Sequence, residues 1–96
     1  MGIVVDNVFF EPGARKHWHT HDVAQALYVL AGEGWVQARG GGGGPITNGD
    51  TVYISAGEEH WHGAAANTYV LYLAVSVGAT NWLDPVSDED YERVAG

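Results

Sequence analysis

An all-β fold, a sandwich or small barrel, is what this sequence predicts. Short apolar runs rich in Val, Ile and Tyr recur along most of it, and turn signals built on Gly, Pro and Asn fall roughly every ten residues. Only one stretch, near the C-terminus, reads as helical. The 96 residues include 14 glycines and 3 prolines, a composition suited to many tight turns. That length allows one domain, residues 1–96.

Each element follows from local pattern. Ile3–Phe10 is a Val/Ile/Phe-rich strand stopped by Glu11-Pro12-Gly13. From Ala14 to His21 residues alternate, with His17, His19 and His21 at one parity and Trp18 and Thr20 at the other. Gln25–Leu30 reads as a strand ending in a hairpin turn at Ala31-Gly32-Glu33-Gly34, and Gly34–Arg39 as the returning strand. Gly40–Gly44 reads as a flexible loop; no Gly-Lys-Ser/Thr follows it, as a phosphate cradle would require. Ile46–Thr47, the turn Asn48-Gly49-Asp50 and the strand Thr51–Ser55 come next. A turn at Ala56–Glu59 leads into His60–Ala64, and Tyr69–Val77 is the last strong strand. The tail 84–96 changes character. Ser87 with Asp90 three residues on resembles a capping box, and Asp88–Val94 is expected to form a short helix.

Composition removes several functions. At 46 % apolar and 17 % charged, the chain is globular. Twelve acids against four bases give a formal charge of −8, which repels phosphate backbones and anionic lipid, so neither nucleic acid nor membrane is an expected partner. The absence of cysteine excludes a disulfide scaffold, a thiolate zinc site and a cysteine nucleophile. No apolar run approaches the ~18 residues of a spanning helix, and no basic-then-apolar leader opens the chain. The expectation is a soluble, cytoplasmic protein.

The histidines point to metal chemistry. His19 and His21 form one H-x-H, and His60 and His62 another. Residues two apart on a strand face the same way, so each pair aims two imidazoles into one space. Neutral imidazole is the commonest protein ligand for Zn, Cu, Fe and Ni. His17 shares their parity and is either a solvated strand end or part of a pocket mouth. Trp18, Trp35, Trp61 and Trp82 read as core or dimer contacts, and Glu58 and Glu59 as a solvated turn.

The spacing resembles the cupin superfamily. Gly13, five residues, His19-Thr20-His21, three residues, Gln25, six residues and Gly32 match the first cupin motif (13–32), with Gln in place of Glu. Gly49, Ser55, Gly57, His60 and Ala64 keep the spacing of the second (49–64), Ser55 and Ala64 differing in identity. The resemblance implies a small antiparallel β-barrel of jelly-roll type, commonly a homodimer. It implies a metal site of His19, His21, Gln25 and His60 for one divalent transition metal. Mn(II) and Fe(II) lead, and Ni(II) and Zn(II) also suit the donors. An amide at position 25 leaves the ion its full charge, weakening retention and sharpening Lewis acidity.

Phe10–Arg15, Trp18–His21 with Gln25, and His60–Ala65 are further similar to small bacterial cupins that include manganese-dependent hydroxynitrile lyases, which also use three His and one Gln. That likeness implies a lyase acting on a small oxygenated substrate. Those lyases carry an additional acid–base histidine where this chain has Tyr72, so His62 and Tyr72 are the expected pocket donors. An Fe(II)-dependent dioxygenase and a non-catalytic small-molecule-binding or sensing cupin are the alternatives.

Overall fold

The structure, a computed structural model, describes residues 2–95. Eight strands and one helix follow in order: β1 (Ile3–Phe10), β2 (His19–His21), β3 (Ala24–Ala38), β4 (Gly43–Thr47), β5 (Thr51–Ser55), β6 (His60–Ala64), β7 (Val70–Val77), β8 (Thr80–Trp82) and α1 (Asp88–Ala95). All strand pairs are antiparallel, and the sheet curls into a half-barrel around one mostly apolar interior. The predicted all-β barrel with a short C-terminal helix is the fold observed.

The long strand β3 organises it. Its first half pairs with β5 and β7, and its second half pairs with β4 and β6. The hairpin expected at Ala31–Gly34 is therefore a correction, because the strand runs straight through it. A register shift between Val29 and Ala31 marks a bulge, which bends the strand from one wall of the barrel to the other. The glycines there serve close approach instead of chain reversal. At Gly32 (φ +80°) a Cβ would sit 2.0 Å from the Tyr69 carbonyl oxygen, and at Gly34 one would sit 2.2 Å from that of Gly63. The Gly-rich stretch is shorter as a loop than its composition implied, since β4 begins at Gly43.

Alternation sorts the walls. Leu27, Val29, Ile54, Val70 and Tyr72 point inward into the main core. A second core forms where α1 covers the outside of β6. Trp18, Trp61, Val86 and Tyr91 pack there, and the Tyr91 hydroxyl donates to the Ala64 carbonyl at 2.7 Å. The helix starts as predicted, with the Ser87 hydroxyl accepting the Asp90 N–H at 3.0 Å. Arg15 clamps it to the barrel through Asp88 at 2.7 Å. Among the described residues no helix is long and apolar enough to cross a membrane.

Candidate metal centre

Three segments bring the histidines together. The short strand β2 sets His19 opposite His60 in β6, and β8 pairs against the other edge of β2. Period-two geometry then turns His19 and His21, and His60 and His62, into the barrel interior. All four are at most 2 % exposed, and Gln25, from the inner face of β3, is 4 % exposed. The ring centroids of His19 and His60 lie 4.2 Å apart, and those of His21 lie 5.0 Å from His19 and 5.3 Å from His60. Ligand atoms of His19, His60 and His62 all fall within 4.8 Å of one another. His19, His21, Gln25, His60 and His62 thus lie together, while Tyr72, expected as a pocket donor, sits behind His62 and outside the pocket lining. His17 does not join them; its ring is exposed, and its carbonyl takes the His19 ring N–H.

Hydrogen bonds orient the rings. His19 Nδ1–H donates to the His17 carbonyl at 2.8 Å, and His60 Nδ1–H to that of Glu58 at 2.9 Å. A carbonyl only accepts, so each Nδ1 carries the proton and each Nε2 presents a lone pair inward. His21 Nδ1 bonds the Thr80 hydroxyl at 3.1 Å, and its buried Nε2 has no partner. Gln25 Nε2 donates to Ser76 Oγ at 3.0 Å, which turns its Oε1 toward His60 Nε2 at 3.2 Å. Two acceptors then face each other in a buried space, and a cation between the side chains satisfies both. The residues fit a divalent metal.

Burial keeps the rings in the form a metal needs. It lowers the pKa of His19 to about 4 and lowers those of His21 and His60. Burial, reinforced by the neighbouring imidazoles, takes His62 well below the usual histidine range. Burial likewise raises Tyr72 well above its ordinary value, so its phenol stays protonated, hydrogen-bonded to His62 Nδ1.

A pocket of about 110 Å³ opens on this cluster, with His19, His21, Gln25 and His62 in its walls. For scale, a cavity of ~150 Å³ holds benzene. Asp6, Lys16, Thr80 and Trp82 also line it, and pattern reading missed all four. Asp6 carried a usable signal, as an acid at inward parity within the apolar run of β1. Trp82, read as core or dimer contact, is 57 % exposed with its ring 4.9 Å from that of His19, at the pocket's edge. Lys16 Nζ stands 5.4 Å above the same indole.

Fold and site together define a small β-barrel with a buried histidine cluster that could hold a metal, and comparison with known proteins identifies its class. The Cupin domain matches residues 7–76, and the chain belongs to that family. It is 48 % identical over 91 residues to an (R)-mandelonitrile lyase of Granulicella tundricola, covering 91 % of this chain and 70 % of the relative. A crystal structure of a cupin-like protein from Thermotoga maritima superposes with a TM-score of 0.93 at 38 % identity, over 97 % of this chain and 73 % of the other. The DMSP lyase DddQ of Ruegeria pomeroyi shares the fold alone, at 20 % identity and a TM-score of 0.75, over 90 % of this chain and 45 % of that one.

Proposed function

We propose that this chain is a divalent-metal-dependent lyase that cleaves or forms a small cyanohydrin. The observation that carries the reading is the convergence of His19, His21, His60 and Gln25 in one buried cluster, with the Nε2 of His21 partnerless. His19, His21, Gln25 and His60 would hold the ion, and Mn(II) or Fe(II) suits an N₃O set with open positions. When bound, such an ion supplies Lewis acidity and lowers the pKa of a substrate hydroxyl.

The chain's own residues supply the rest. Cleavage breaks the bond to the nitrile carbon, whose electron pair leaves with cyanide. The hydroxyl oxygen becomes a carbonyl, and one proton passes from hydroxyl to cyanide. Lys16, the ammonium in the pocket wall, faces the charge that develops on the leaving group. His62, backed by Tyr72, is a polar contact in an otherwise confined wall. Trp82 gives an apolar edge to a substituent too large for the pocket. The 48 % identity to a mandelonitrile lyase supports the substrate class.

In this reading the protein works as a homodimer. The outer face of the β1–β7–β3–β5 wall carries Ile3, Val5, Phe9, Tyr28 and Tyr53, which are 45–69 % exposed. With their half-buried neighbours on β7 they form a continuous uncharged patch across three strands of the wall and onto β5. A second copy of this chain is the occupant that this uncharged, aromatic-rich face favours.

The test pairs elemental analysis of untagged protein, purified without chelator, with a cyanohydrin cleavage assay. We expect near one transition metal per chain and aldehyde plus cyanide as products, both lost in His60→Ala. Turnover retained in that variant overturns the assignment.

A further inference from the structure

We infer that Tyr72 holds His62 in the tautomer that carries its proton on Nε2, which makes His62 a hydrogen-bond donor to the pocket's occupant and excludes it as an additional imidazole ligand. The position of the rings does not decide this, because His62 sits as near to His19 and His60 as a ligand would. The hydrogen bonds do. His19 and His60 each offer Nδ1–H to a backbone carbonyl, so their Nε2 atoms are free to coordinate. His62 Nδ1 has a phenol as its partner instead.

Two arrangements of that contact exist. If the Tyr72 O–H donates to His62 Nδ1, the one unsatisfied polar atom of this pair is His62 Nε2–H, on a ring that lines the pocket. If His62 Nδ1–H donates to the phenol oxygen, the Tyr72 hydroxyl proton has no acceptor, since His62 is its only partner among the described residues, and His62 Nε2 is left bare as well. The first arrangement leaves one buried group unpaired and the second leaves two. A buried donor without an acceptor is rare and destabilising. An imidazole lone pair is also a better acceptor than a phenol oxygen whose electrons are shared with its ring. Tyr72 is therefore a positioning residue. It acts through His62 and, buried behind that ring, has no place in the pocket wall.

The assignment deepens the metal-site reading, although the hydrogen-bond count stands without it. Three imidazoles and one amide remain for an ion, while His62 points a proton at the space beside it. In a cyanohydrin complex that proton suits the nitrile nitrogen or the departing cyanide, both acceptors.

Two-bond ¹H–¹⁵N spectra of uniformly ¹⁵N-labelled protein read each ring's tautomer directly. In metal-free wild type, His62 is expected to show a protonated Nε2 and a bare Nδ1, the reverse of His19 and His60. Adding one equivalent of Zn(II) should move the rings of His19, His21 and His60 and leave the His62 Nε2–H in place. Tyr72→Phe keeps the ring against Phe10 and removes only the hydroxyl, so His62 should shift toward the Nδ1–H form. A wild-type His62 protonated on Nδ1, or a His62 Nε2–H lost on Zn(II) binding, overturns the inference. Should Tyr72→Phe fail to fold, the wild-type spectra still decide. Failure to bind Zn(II) with the Nε2–H tautomer intact would count against the metal site and leave the Tyr72 role standing.

Discussion

Gln25 Oε1 lies 3.2 Å from His60 Nε2, and neither atom has a hydrogen to give the other. The Glu58 carbonyl fixes the His60 proton on Nδ1, and Ser76 holds the amide nitrogen of Gln25 away. Without a cation, an amide flip relieves the contact: Gln25 Nε2–H then donates to His60 Nε2, and the Ser76 hydroxyl donates to Oε1. The clearest structural argument for a metal is the set of buried imidazoles that converges beside this amide.

Gln25→Glu tests how that pair tunes the ion. A carboxylate offers charge where the amide offers a dipole, so Mn(II) affinity should rise about tenfold or more, equivalent to ~1.4 kcal/mol. Cyanohydrin turnover should fall, because the neutralised ion acidifies a hydroxyl less. Isothermal titration beside initial-rate assays checks both directions. Tighter binding with faster turnover would show that Lewis acidity is not limiting.

Acid should destabilise the metal-free protein within a defined window. Burial lowers the folded-state pKa of His19 from 6.5 to about 4, and those of His21, His60 and His62 fall as well. The unfolded chain therefore takes up protons near pH 6.5 that the folded chain refuses. Stability is full above that pH and declines as pH falls toward about 4, where folded His19 also protonates. At 1.36 kcal/mol per unit, His19 alone contributes on the order of 3 kcal/mol. Urea denaturation at intervals between pH 7.5 and 4 measures the slope. A midpoint that stays flat across this range contradicts neutral buried imidazoles.

The histidines of the candidate site were legible in the sequence for a physical reason, whereas Gln25 was legible only through the motif resemblance. Period-two spacing of His19/His21 and His60/His62 fixes a shared face without knowledge of the fold, and glycines mark the turns around them. The pocket's remaining wall was not legible. Thr80 reaches His21 only because β8 pairs with β2 across about sixty residues, which no local pattern encodes. Lys16 lies in a segment that alternates like a strand yet forms only an isolated bridge, at Arg15. The hairpin misread at Ala31–Gly34 has the same origin. Glycine signals a turn and a close backbone approach equally well, and only the neighbours at Tyr69 and Gly63 distinguish them.

The uncharged outer wall predicts a dimer that one charge disrupts. Tyr28 lies inside that patch, paired in register with Leu73 on β7 and Thr51 on β5. Its side chain is 45 % exposed in the single chain, so Tyr28→Glu should fold normally while burying an unpaired carboxylate in any back-to-back pair. Light scattering should report twice the chain mass for wild type and a monomer for the variant. A monomeric wild type removes the interface.

Gly63→Ala should damage the site without touching a ligand. Gly63 stands between His62 and Ala64, where the chain from Gly13 to Lys16 runs directly alongside β6. Bonds from Gly13 N–H to the Ala65 carbonyl, from Ala64 N–H to that of Ala14 and from Lys16 N–H to that of His62 hold it there, each at 2.9 Å. A Cβ at residue 63 would meet the Ala14 carbonyl oxygen at 2.5 Å and the Arg15 Cα at 2.6 Å. Both obstacles are backbone, so the segment itself must move outward. That movement displaces Lys16 from the pocket wall and carries β2, with His19 and His21, away from His60. Overpacking of this kind costs about 1–3 kcal/mol. The variant should therefore melt lower and also bind Mn(II) more weakly, even at temperatures where circular dichroism shows it fully folded. Unchanged metal affinity in a destabilised Gly63→Ala would mean that β2 keeps its position independently of the segment packed on β6.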